Sequence, residues 1–226
     1  MPHRAEETSK VDHVEPHWVK AALVVIDLQR DFLDGGASPI SGTSEVVPGV
    51  ARLTAAFRQA GRPIAHVIRF YKPGESDVDL PRRAIIEAGA RIVAPGSMGA
   101  DIPEDVLPGP VKLDAAQLLS GQAQTIGPRE KVFYKPRWSA FYRTSLEAWL
   151  VAEGCDTIVV AGCNLPNCPR ATLFDASERD FRTVLAFDAV SQVTPERLAD
   201  LDAIGVRLVD VADITSALRT NPAVKE

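Results

Sequence analysis

The chain has little of what marks a disulfide scaffold, a membrane protein or a metal protein. Its 226 residues hold only three cysteines, Cys155, Cys163 and Cys168, crowded together with no CxxC pair. That spacing excludes a disulfide framework and a structural zinc site, and fits reduced thiols in a cytoplasmic protein. Histidine is equally scarce: His3, His13 and His17 lie in a polar N-terminal stretch, which leaves only His66 beyond it. A histidine base, or a site of several histidine ligands, is therefore disfavoured. The longest apolar runs, such as AALVVI, fall far short of the roughly 20 residues that cross a bilayer. The opening MPHRAEETSKVDHVEPHW contains no apolar leader, so a soluble chain with no membrane partner is expected. Thirty acidic and 25 basic side chains leave a net charge of -5 with no basic run, which argues against nucleic acid as a partner. No internal repeat or low-complexity tract is present.

What is there is ordinary globular composition, 46% hydrophobic and 24% charged, enough for one buried core. Short β-branched runs at 21–26, 63–70, 131–134, 156–162, 181–188 and 205–210 read as strands. Segments 45–60, 139–153, 169–179 and 195–204 carry apolar residues at helical spacing. Alternation of this kind predicts an α/β fold, a doubly wound parallel sheet with helices on both faces in a three-layer, Rossmann-like sandwich. The expected organisation is an N-terminal arm over 1–20 and a single domain over 21–218. An excursion at about 71–130, rich in Gly and Pro and holding only a short helical stretch or two, reads as a lid or substrate loop.

Ligands in such folds bind beyond the carboxyl ends of the strands, where three polar residues follow apolar runs. Asp27 follows AALVVI, Lys135 follows KVFY, and the loop GCNLPNCPRAT follows DTIVVA. In that loop Gly162 permits a sharp turn and Pro169 suits the first position of a helix, which makes Cys168 the N-cap. A thiol there meets the positive end of the helix dipole, so its pKa is expected below the usual value. Taken singly, Asp27 reads as a strand-end carboxylate and Lys135 as a solvated charge. Together with Cys168 they form a nucleophile, a carboxylate to take its proton and a cation to align both. Cys155, in a helix-to-strand turn, reads as a space-filling thiol.

The runs VVIDLQRDFLDGG at 24–36, KPRWSAFYRTSLEAWLVAEGCDTIVVAGCNLPNCPRATLFDASERDF at 135–181 and DAVS at 188–191 resemble the isochorismatase-like cysteine hydrolases. The resemblance spans roughly residues 21–210. It implies a catalytic triad of Asp27, Lys135 and Cys168, and an oxyanion hole from the amides of Asn164 and Cys168. A cis peptide is implied between Cys163 and Asn164. Members with a cysteine at this position are mostly amidohydrolases, including nicotinamidases, N-carbamoylsarcosine amidases, ureidoacrylate hydrolases and biuret hydrolases. The implied activity is cleavage of a small amide or carbamoyl C–N bond through a thioester, with no cofactor. A homo-oligomer, dimer or tetramer, is expected.

Nicotinamidases of this family hold a metal with a D-x-H cluster after the second strand. The matching stretch here offers only His66, inside an apolar run that suggests a core histidine, so no metal site is expected. Arg69 and Tyr71 stand there instead, at a strand end. Arg69 reads either as a fork for a substrate carboxylate or as part of a structural ion pair. Trp138 and Phe141 are candidate pocket walls, with core packing the alternative for Phe141. Arg170 is a candidate substrate contact, or a partner of Asp175 or Glu178. A haloacid-dehalogenase-type phosphatase fails because Gln29 stands where a second Asp is needed, and no GxGxxG follows the first strand. An isochorismatase-type activity, or a non-catalytic protein on the same fold, remains the alternative.

Overall fold

A computed structural model describes residues 12–74 and 77–221 of the chain; His3 and the first eleven residues of the expected arm lie outside the described residues. The chain runs through β1 (Ala21–Ile26), α1 (Thr43–Gln59), β2 (Ile64–Ile68), α2 (Leu80–Glu87), α3 (Ala115–Leu119), β3 (Gln124–Gly127) and β4 (Glu130–Tyr134). It continues through α4 (Leu146–Ala152), β5 (Thr157–Gly162), α5 (Cys168–Ser177), β6 (Arg182–Val190), α6 (Pro195–Asp202), β7 (Arg207–Val209) and α7 (Val211–Thr220). The seven strands form one sheet in the order β3-β4-β2-β1-β5-β6-β7. Every pair is parallel except β3 with β4. The sheet grows outward on both sides of β1, as expected of a doubly wound fold.

β1 is buried on both faces, which is why its sequence is an unbroken apolar run. Its alternate side chains feed two cores. Leu23 and Val25 pack on the face covered by α1 and α7, with Val50, Leu53, Phe57 and Ile214. Ala22, Val24 and Ile26 pack on the opposite face against α4 and α5, with Leu146, Leu150 and Leu173. Register then sets the site. Ile26 is level with Val67 of β2 and Gly162 of β5, and Ile68 is level with Tyr134 of β4. Asp27, Arg69, Lys135 and Cys163 therefore leave four neighbouring strands at one edge of the sheet. Gly162 is needed there: its φ is 111°, and a Cβ would lie 2.3 Å from the Ile26 carbonyl oxygen.

The structure departs from the sequence expectations at four places, one of them α7, which lies beyond the last expected helix. The helix expected over 139–153 begins only at Leu146. Arg143 is left-handed with φ 53°, and Thr144 Oγ1 donates to the Ala140 carbonyl, so the preceding residues form turns. The excursion holds an unforeseen strand, β3, a short partly exposed edge paired antiparallel to β4 with a register shift. Cys168 is the first residue of α5 and Asn167 is its N-cap, because the Asn167 carbonyl already accepts from the Ala171 amide. Among the described residues no helix is long and apolar enough to cross a membrane.

Candidate active site

At the carboxyl end of β1, Asp27 turns the chain with φ 47°, a conformation uncommon for a residue with a side chain and one that clusters at functional sites. Its amide is fixed by the Val67 carbonyl at 2.9 Å, as that of Lys135 is by Ile68 at 3.0 Å. The two side chains meet in the interior: Lys135 Nζ donates to Asp27 Oδ2 at 2.8 Å and to the Arg137 carbonyl at 3.2 Å. Lys135 is fully buried, so the Asp27 carboxylate and the Arg137 carbonyl stand in for the water its ammonium has lost. Asp27 Oδ1 is buried with no hydrogen-bond donor among the described residues, which leaves that oxygen open to accept a proton.

Arg69 continues the row. Its Nη1 donates to Asp79 Oδ1 at 3.1 Å and its Nη2 to Cys168 Sγ at 3.6 Å, while its Nε lies 3.6 Å from Asp27 Oδ2. Lys135, Asp27, Arg69 and Asp79 thus alternate in charge through the floor of the site. Gln29 holds the arginine's backbone: its Oε1 accepts the Arg69 amide at 2.8 Å, and its Nε2 donates to the carbonyls of Arg69 at 2.9 Å and Ala100 at 2.8 Å. The position that excluded a phosphatase is a clamp between β2 and the excursion.

Cys168 is buried at the start of α5. Its thiol pKa is raised, contrary to the sequence expectation. Burial pushes it up, the Asp27 carboxylate adds to this, and Lys135 and Arg69 pull it down without offsetting the rise. The surroundings of Cys168 thus favour the thiol over a stored thiolate, with the Asp27 carboxyl group among them. Cys155 and Cys163 are pushed up to about 12, chiefly by burial.

A pocket with about 350 Å³ of empty space, its open mouth included, lies over these groups. Asp27, Arg69, Asn164 and Cys168 line its polar side; Phe32, Ile40, Tyr71 and Trp138 line its apolar side. The expected Tyr71 and Trp138 are therefore at the site, and the Arg69 guanidinium sits 5.8 Å from the centre of the Tyr71 ring. Phe141 is not: it packs 5.8 Å from the Phe181 ring inside the core. Arg170 is not either. It lies 4.0 Å from Asp200 and over Phe174, because two residues along a helix rotate a side chain by about 200°. Neither Asp175 nor Glu178 is its partner.

Two further expectations need correction. The Cys163–Asn164 bond is trans, and Asn164 makes the turn with φ 73°. The Asn164 amide donates to Ser191 Oγ at 3.2 Å, so it is already engaged by the residue that follows β6. The first turn of α5, with the Cys168 amide, is the remaining oxyanion candidate.

Sequence reasoning missed Asp79 and Arg82, both from the excursion. Asp79 anchors Arg69, and Arg82 lines the pocket with no ion pair to any described residue. The carboxylate fork assigned to Arg69 is already shared between Asp27, Asp79 and the thiol, so the structural ion pair is the outcome there. His66 is buried, its Nε2 2.7 Å from Glu130 Oε1, and Arg58 holds the same carboxylate through two bonds at 2.7 Å. Among the described residues no three His, Cys, Asp or Glu side chains gather as metal ligands.

Comparison with known proteins shows the family and the fold. The isochorismatase domain family matches residues 21–213. A probable inactive nicotinamidase of Arabidopsis thaliana is 34% identical over 196 residues, covering 84% of this chain and 92% of its own. A ureidoacrylate amidohydrolase of Methylobacterium radiotolerans is 28% identical, covering 87% and 78%. Among solved structures, an isochorismatase family protein from Desulfovibrio vulgaris superposes with a TM-score of 0.75 at 30% identity, over 88% of this chain and 98% of that one.

Proposed function

The chain belongs to the isochorismatase family, and on that premise we propose that it hydrolyses the C–N bond of a small amide or carbamoyl compound through a thioester on Cys168. One observation carries the reading: a buried thiol, a carboxylate with an open oxygen and a buried ammonium at 2.8 Å from that carboxylate meet at one sheet edge. Asp27 takes the Sγ proton as sulfur attacks the carbonyl carbon, so no free thiolate has to be stored. The carbonyl charge develops beside the first turn of α5, where the Cys168 amide points with the helix dipole. As the tetrahedral centre collapses, the C–N bond breaks and the leaving nitrogen takes the proton from Asp27. Water, deprotonated by the same carboxylate, then cleaves the thioester and restores the thiol. Lys135 keeps Asp27 in place throughout.

The substrate carries a carboxylate, and Arg82 meets it. Arg82 is the pocket's half-buried cation without an ion pair to a described residue, whereas Arg69 and Lys135 are held by Asp27 and Asp79. Ureidoacrylate, the compound named for one relative, is a carboxylate of this kind. A charge-assisted contact is worth about 1.5–3 kcal/mol, roughly ten- to a hundredfold in preference over a neutral analogue. A non-catalytic reading has one observation behind it, the relative named as a probable inactive nicotinamidase. The complete set of Asp27, Lys135 and Cys168 weighs against it. The deciding experiment is an ammonia-release screen over small amides, ureides and carbamoyl acids, each beside its methyl ester, with isochorismate as control. Release from at least one acid, and less from its ester, is expected. Cleavage of isochorismate with no ammonia from any compound would overturn the C–N reading.

A further inference from the structure

The mechanism above gives Lys135 to Asp27 and leaves the sulfur without a cation of its own. Lys135 Nζ is engaged by Asp27 Oδ2 and by the Arg137 carbonyl. The group that touches sulfur is Arg69, through Nη2 at 3.6 Å, while the Nε of the same planar guanidinium lies 3.6 Å from Asp27 Oδ2. One rigid cation thus faces both ends of the proton transfer. Before transfer the negative charge sits on the Asp27 carboxylate; afterwards the S–H bond is broken, the proton is on Asp27 and the charge is on sulfur. Arg69 solvates the charge at either place without moving, which is the property of a preorganised site. Lys135, bonded to the carboxylate, favours the charge before it has moved.

The placement of Arg69 is built rather than incidental. Its backbone is gripped on both sides by Gln29, and its side chain is buried. Asp79 stands at the N-cap of α2, where an aspartate ordinarily accepts from a backbone amide of its own helix. Its side chain makes no such bond and turns to Arg69 instead. An arginine suits this position because its fork addresses three partners at fixed angles, which an ammonium does not.

We propose that Arg69 is a fourth catalytic residue, the counter-cation of the Cys168 thiolate as it forms, with Asp79 as its positioning residue. This rests on the reading of Cys168 as the nucleophile and deepens it. The test follows the pH dependence of iodoacetamide alkylation at Cys168, read by peptide mass spectrometry, in wild type, Arg69→Gln and Arg69→Lys. Alkylation needs no amide substrate, so a failed substrate screen and a failed Arg69 assignment give separate results. In Arg69→Gln the alkylation rate near neutral pH should fall by about tenfold or more, with the profile moved toward higher pH by about one unit. Arg69→Lys, which keeps the charge, should recover part of both. If Arg69→Gln does not fold, Arg69→Gln/Asp79→Asn removes the buried pair together, a milder change, and should move the profile the same way. A folded variant lacking the guanidinium whose Cys168 profile stays within about twofold of wild type overturns the proposal, as does an Arg69→Lys no better than Arg69→Gln.

Discussion

Lys135 and Asp27 face each other at 2.8 Å with their side chains 0% and 5% exposed, which makes the pair a sharp test of how this site is held together. Attraction across that distance is about 6 kcal/mol at an effective dielectric constant of about 20, and it is offset by the desolvation of both ions. Removing one partner exposes that desolvation uncompensated. Lys135→Met leaves Asp27 with Arg69 at 3.6 Å, and Asp27→Asn leaves a buried ammonium with one carbonyl at 3.2 Å. Each single variant should lose about 3–5 kcal/mol of stability, whereas replacing both partners should return most of it. For a chain of this size that loss lowers Tm by roughly 6–20 °C. Urea unfolding of the wild type, both single variants and Asp27→Asn/Lys135→Met measures the coupling through the double-mutant cycle. The double variant should be more stable than either single variant, while all three are inactive. Losses that simply add would show that the two charges do not depend on each other, and the electrostatic account of the floor would fail.

Other outcomes follow from the same geometry. Iodoacetamide at pH 7.5 should modify Cys168 before Cys155 or Cys163, because the Cys168 sulfur has Arg69 Nη2 at 3.6 Å to meet the developing charge; early labelling of either, read by peptide mass, contradicts the assignment. Burial would raise the pKa of Glu130, but hydrogen bonds from Arg58 and His66 hold it below its ordinary 4.5. Its contribution is therefore complete above that value and lost as pH falls through the lower folded pKa. Glu130→Gln should lose about 3 kcal/mol at pH 7, with the difference from wild type shrinking in acid unfolding titrations below pH 4.5; a difference independent of pH refutes the ion-pair account. Dialysis against EDTA should leave amide turnover unchanged, because the pocket-lining residues between β2 and α2 are Arg69 and Tyr71, neither a usual ligand. Restoration of lost activity by zinc, manganese or iron would show otherwise.

The parts of the site that were legible in the sequence are those tied to the sheet. Asp27, Lys135 and the Cys168 loop each follow an apolar run, and parallel register carries the ends of such runs to one edge. Phe141 was misplaced because α4 begins seven residues after the expected start at 139, and Arg170 because two residues along α5 turn its side chain away from that of Cys168. Asp79 and Arg82 could not be read, since the segment KPGESDVDLPRR has no periodicity in its sequence and the contact of Asp79 with Arg69 is a tertiary one. Gln29 was visible only as the wrong residue for a phosphatase, because a side-chain amide clamping two carbonyls leaves no pattern in one sequence. The thiol's pKa was misjudged for a related reason: the helix position was legible, but the burial and the Asp27 charge that outweigh it belong to tertiary packing.

The central claim is that the Cys168 sulfur performs the chemistry, and kcat/KM of Cys168→Ala on the best amide from the ammonia-release screen tests it most directly. A fall of about a thousandfold or more, in a protein that melts like wild type, is the expected result. Turnover within about tenfold of wild type would contradict covalent catalysis at this residue and with it the role given to Asp27, Lys135 and Arg69.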